Sequence, residues 1–146
     1  MKPIITAIKN EIELTLNTIP EIKKVYMFPL KTIDIETAPY PFVAVFNTWG
    51  AWENRNQMEG NEVRFTFETW LRVGADVDSL VTKLDLYEAK IHDAIFAMCN
   101  TPTMKKLIQK SQKSPPTMQY IDEDSTGVLI QEYTFTYLQN YGNSFI

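Results

Sequence analysis

Apolar residues recur at steps of three and four near the start of the chain. Ile5, Ile8, Ile12, Leu16 and Ile19 mark the stripe, with Lys9, Asn10, Glu13 and Asn17 between them. That spacing predicts an amphipathic helix over residues 4–19, ended by Pro20. A short strand is predicted from Val25 to Leu30, then an irregular connection over 31–41 with Pro39 and Pro41 around Tyr40. Phe42 to Phe46 is almost wholly apolar and reads as a strand covered on both faces. A polar stretch from Asn47 to Asn61 follows and reads as a long loop, a kind that is usually functional or mobile.

The clearest alternation runs over residues 62–73. Val63, Phe65, Phe67, Thr69, Leu71 and Val73 share one side, and Arg64, Thr66, Glu68, Trp70 and Arg72 the other. One face belongs to a core and the opposite face is polar, the pattern of an antiparallel sheet covered on one side. A second helix is predicted from Asp78 to Cys99, with a stripe of Leu80, Val81, Leu84, Tyr87, Ile91, Ala94, Ile95 and Met98. At 1.5 Å per residue it spans roughly 33 Å, enough to cross a sheet. A short helix over Thr103–Lys110 comes next. The end reads as a hairpin, Thr117–Ile121 and Val128–Leu138, with a turn from Asp122 to Gly127. The expected fold class is α+β: a single sheet, antiparallel or mixed, with two main helices on one face in the order α-β-β-β-α-β-β. All 146 residues fit one domain, without internal repeat or linker.

Composition narrows the function. A hydrophobic content of 45% with 22% charged residues is that of a folded globular chain. A net charge of −4 argues against general nucleic-acid affinity, which needs a basic face. Cys99 is the single cysteine, so no internal disulfide or cysteine metal cluster can form, which suits a reducing cytoplasm. No targeting segment or spanning apolar run is visible, so no membrane partner is expected.

The chemistry of an enzyme is not evident. His92 is the single histidine, on the second helix beside its core stripe, without a nucleophile or orienting partner at useful spacing. It reads as a surface or boundary residue, and Cys99 as a small buried hydrophobe, about two helical turns away. Asp122, Asp124 and Gly127 resemble the opening of a calcium loop, but Thr126 and Tyr133 stand where two further ligands belong. A turn accounts for them. No glycine-rich phosphate loop occurs. No catalytic residue, metal or cofactor is expected.

Contact surfaces are easier to nominate. The 47–61 stretch carries Trp49, Trp52, Arg55 and Met58, residue types enriched at interfaces; rings folded back on their own loop are the alternative. The Arg64, Glu68, Trp70 and Arg72 face is solvent-facing, a subunit contact or a channel lining. Trp70 speaks for contact, because an outward tryptophan is costly to leave wet. The tail from Tyr141, with Phe145 and Ile146, either frays or docks on a neighbour. Lys105, Lys106, Lys110 and Lys113 lie where no acid occurs between Asp93 and Asp122; they form a solvated face or a patch for an acidic partner.

The order of these elements resembles the tail terminator (tail completion) proteins of long-tailed bacteriophages over nearly the whole chain. The resemblance is carried by the leading helix ending at Ile19-Pro20 and the Tyr40-Pro41-Phe42-Val43-Ala44-Val45 strand. The polar stretch into Val63-Arg64-Phe65-Thr66-Phe67, the helix from Asp78 and the closing strand from Glu132 to Tyr137 complete it. The resemblance implies a virion protein assembled in the host cytoplasm as a ring, commonly of six copies, at the head-proximal end of the tail tube. The ring would stop tube growth and present a joining surface to the head connector or neck. Its partners would be itself, the tube protein and the connector. The 47–61 stretch would touch tube or neighbour and the sheet would form ring wall. Other phage neck and tube proteins share much of this plan. An α+β nucleic-acid-binding module and a small enzyme are the competing classes.

Overall fold

The computed structural model describes residues 3–28, 36–55, 58–73, 77–121 and 126–140, with the side chains of 49–55, 58–60, 77 and 138–140 excepted. The elements run α1 (Ile4–Asn17), β1 (Lys24–Tyr26), β2 (Phe42–Arg55), β3 (Met58–Arg72), α2 (Val77–Cys99), α3 (Pro102–Leu107), β4 (Lys110–Lys113), β5 (Thr117–Ile121) and β6 (Thr126–Asn140). The predicted α+β class holds. The sheet is mixed, in the order β1-β2-β3-β6-β4, with β5 also on β6. β1 runs parallel to β2, and every other pairing is antiparallel.

β3 is the centre. It pairs along its whole length with β6, from Met58↔Asn140 to Arg72↔Thr126, and with β2 from Met58↔Arg55 to Trp70↔Phe42. Its predicted alternation places Val63, Phe65, Phe67, Thr69 and Leu71 in the buried layer. The stripes of α1 (Ile8, Ile12, Leu16) and α2 (Leu80, Leu84, Ile91, Ile95) belong to that same core cluster. Fully burying one such side chain contributes about 1.5–3 kcal/mol. Val81 was expected in the α2 stripe but is exposed, because a step of one residue turns it about 100° away from Leu80. α3 is set by Thr101, whose hydroxyl accepts from Met104 N at 3.3 Å, and by Pro102 in the first turn.

Three expectations change. The 47–61 stretch is not a loop. β2 continues to Arg55 and β3 starts at Met58, so the stretch is a strand pair with a register shift between Trp49 and Trp52, where Gly50 and Ala51 face Glu62 alone. Ladder hydrogen bonds need no apolar residues, so polar composition hid the strands. Second, the helix predicted over Thr103–Lys110 ends at Leu107, and Lys110–Lys113, expected as helix end and loop, is an edge strand. With β5 it lines the outer side of β6, and the two are separated at Pro115-Pro116, residues that cannot donate to a ladder. Third, the final strand starts at Thr126, so Gly127 belongs to it and faces Leu71 on one side and Tyr120 on the other. The strand predicted at Val25–Leu30 is confined to Lys24–Tyr26 among the described residues.

Gly127 is there for space. A Cβ added to it would lie 2.8 Å from Leu84 Cδ1 and 3.1 Å from Leu80 Cδ1, inside the helix–sheet layer. Gly127→Val should therefore destabilise the fold by about 1–3 kcal/mol through overpacking, and Gly127→Ala by less, since the leucine tips can shift. Urea unfolding of the two variants checks both the sign and the order.

Candidate functional site

The outer face of the sheet, opposite the helices, is built from the alternate residues of the same strands. Phe42, Trp70 and Val128 stand side by side across β2, β3 and β6. They form a second core, joined by Tyr26, Ala38, Tyr40, Ile121 and Ile130. Trp70 stacks on Phe42 with centroids 6.0 Å apart at 4°, and Tyr40 and Tyr26 meet Phe42 edge-on at 5.1 and 5.6 Å. Arg72 closes the rim. Its guanidinium lies 4.3 Å from the Tyr40 ring centroid, its Nε donates to Thr126 Oγ1 at 3.1 Å and its Nη2 to the Tyr40 hydroxyl at 3.3 Å.

Arg64, Glu68, Trp70 and Arg72 do share one face, as the alternation predicts, but they divide into two groups. Trp70 is 6% exposed, kept dry by Phe42 and its neighbours within the same chain. The expectation that a wet tryptophan would call for a partner is corrected: the preceding Tyr40–Phe42 segment supplies the cover. Arg72 is engaged with the same segment. Arg64 is exposed and Glu68 half-buried. They lie on the half of the face that also carries Thr48, Thr66, Glu132 and Thr134.

Glu68 is the unusual member. It sits between Ala44 and Ile130, and burial pushes its carboxyl above the ordinary range. The Trp70 indole N–H pulls the other way but lies outside normal hydrogen-bond geometry, so Trp70 Nε1 is buried without an acceptor among the described residues. No cation reaches Glu68 among the described residues. Tyr40–Phe42 was visible in the sequence only as a proline-flanked strand entry; nothing in its pattern says that it folds over Trp70.

A second set of polar contacts lies on the helix side and was not foreseen. His92 Nδ1 is 3.0 Å from the Tyr133 hydroxyl. Burial, with negative groups nearby, pushes the Tyr133 phenol far up, so it keeps its proton and can donate to the ring. Gln131 Nε2 donates to the Glu88 carbonyl of α2 at 3.2 Å, and the Glu88 carboxylate pairs with Lys113 on β4. These contacts tie α2 to the β6–β4 edge, a structural use of the single histidine. Cys99 is half-buried against the core, with its thiol pushed up by burial, opposite to a reactive thiolate.

The strand pair carrying Trp49, Trp52, Arg55 and Met58 has defined backbone pairing, but these four side chains are outside the described residues, as are Asp122, Asp124, Tyr141, Phe145 and Ile146. β2 pairs with β1 only from Phe42 to Ala44, so from Val45 to Arg55 its outer edge has no strand partner among the described residues. Large apolar side chains are exposed on the helices: Phe96 is 66% and Leu86 51% accessible on α2, and Leu14 64% on α1. Among the described residues no helix is long and apolar enough to cross a membrane.

Two predictions follow from this face. Trp70→Ala should lose about 3–5 kcal/mol of stability, read by denaturant unfolding of the dilute chain, because it empties the second core. Glu68 has a raised folded-state pKa, so its ionisation weakens the fold above that pKa, and the penalty disappears as pH falls below the unfolded value. Glu68→Gln should therefore raise the melting temperature near neutrality, with the gain shrinking towards zero on acidification.

No protein-family model matches this chain, and no curated protein matches it. A solved structure described as the virion of a native gene transfer agent (GTA) particle is similar to it, with a TM-score of 0.42 and 6% identity, over 94% of this chain and 92% of that one.

Proposed function

We propose that this chain is a structural virion protein that forms a ring at the head-proximal end of a phage tail tube. There it halts tube polymerisation and offers the surface to which the head connector or neck joins. Its work is assembly and not catalysis. The observation that carries the reading is the long strand β2, which has a bare outer edge from Val45 to Arg55 among the described residues. A strand edge of that length presents a row of unpaired backbone groups, and such edges are managed by cover or by pairing with a partner. Supporting it are a sheet face with no described helix over it, exposed apolar residues on α1 and α2, and the sequence resemblance to tail terminators.

In this role the β2–β3 strand pair, which carries Trp49, Trp52, Arg55 and Met58, contacts the tube or the adjoining copy. The Arg64–Glu68 half of the sheet faces the ring. The Tyr141–Ile146 tail is a further docking segment.

The test is tube growth. Purified tube protein is polymerised with and without this chain, and tube lengths and ends are scored by negative-stain imaging. The expected result is shorter tubes with a density at one end only. Unchanged lengths with bare ends would remove the terminator role. Incorporation along the tube would assign the chain to the tube wall.

A further inference from the structure

Two polar side chains interrupt the apolar inner rows of the central strand pair. Between Val63 and Leu71 the inner row of β3 holds one, Thr69, and between Gly127 and Tyr133 the inner row of β6 holds one, Gln131. Both are 0% exposed. Thr69 stands opposite Leu129, and Gln131 opposite Phe67. The two are therefore diagonal neighbours on the helix side of the sheet, a relation that puts Cβ atoms about 7–8 Å apart.

Their hydrogen bonding is incomplete in matching ways. Gln131 Nε2 donates to the Glu88 carbonyl of α2 at 3.2 Å. A carbonyl can only accept, so the amide nitrogen must face it and the amide oxygen points elsewhere. That oxygen, Oε1, is buried without a hydrogen-bond partner among the described residues, and so is Thr69 Oγ1. Buried polar atoms are nearly always satisfied by protein or by ordered water, because leaving one unmade forfeits its hydration. A partner for both atoms must donate to the amide oxygen, which has no proton to give. It must be uncharged, since Val43, Phe67 and Leu129 beside the pair are buried and apolar. Two hydrogen bonds placed end to end span roughly 5–6 Å, which suits one small molecule between diagonal neighbours.

We propose that one ordered water molecule is held between Thr69 Oγ1 and Gln131 Oε1, on the α2 side of the sheet. It donates to the amide oxygen and shares a hydrogen bond with the hydroxyl. Buried waters of this kind serve groups that would otherwise be unsatisfied and belong to the fold as much as side chains do. This one joins β3 to β6 and, through the Gln131 amide, joins both to α2. The competing arrangement is a direct bond, with the Thr69 hydroxyl donating to Gln131 Oε1 and no molecule between. The water site does not rest on the assembly reading, so the two claims fail separately.

High-resolution crystallography of the full chain tests this, on the wild type, Thr69→Val and Thr69→Ser. The wild type should show one ordered solvent peak within hydrogen-bonding distance of both oxygens. Thr69→Val keeps the shape of the side chain without its hydroxyl and should lose the peak, whereas Thr69→Ser should retain it. In solution, urea unfolding of Thr69→Val, Gln131→Met and the double variant gives the coupling between the two positions. They share one water, so the coupling should be at least about twofold in the unfolding constant. A direct contact between the two oxygens, a site with no peak in the wild type, or substitutions that combine additively would overturn the proposal.

Discussion

The structure depends on the two-sided pairing of β3. A strand hydrogen-bonded to β2 and β6 along nearly all its length has fixed register on both sides, and side chains alternate with period two, so register decides which residues are buried. A slip of one residue would move Phe65 and Phe67 from the helix layer to the opposite face and bring Arg64 and Glu68 inward. That cost holds the two cores in place together: the larger one under α1 and α2, and the smaller one of Phe42, Trp70 and Val128. Gly127 follows from the same register, because it stands under Leu80 and Leu84 of α2, where a Cβ would collide.

Much of this was legible in the sequence. The β3 alternation, the α1 stripe and most of the α2 stripe follow from apolar periodicity, because each buries one face against a shared layer. The signal failed where burial does not set the composition. The polar 47–55 and 58–61 strands are held by ladder hydrogen bonds rather than by a visible apolar face. Lys110–Lys113 is an edge strand, and edges favour lysine. The cover of Trp70 by Tyr40 and Phe42 is a tertiary contact between segments about thirty positions apart, and the Gln131–Glu88 and His92–Tyr133 links are likewise long-range. Of the nominated surface residues, the alternation placed Arg64, Glu68, Trp70 and Arg72 on one face. It could not tell that Trp70 and Arg72 are engaged internally while Glu68 has no counter-charge among the described residues.

That division shapes the functional account. One half of the outer face is sealed by its own side chains, and the other half is polar. In the proposed ring the β2 edge of one copy, which has no strand partner from Val45 to Arg55 among the described residues, meets a different surface of the next, so each contact leaves one more open. Such an interface propagates until geometry closes it. The proposed terminator role would require that closure, since an assembly that kept growing could not stop a tube.

Closure is therefore the central claim, and mass is its most direct readout. Mass photometry of the wild-type chain over a rising concentration series should show the single chain giving way to one larger species of fixed mass, most simply six copies. A chain that stays single at every concentration, or a distribution that lengthens without limit, would contradict the account.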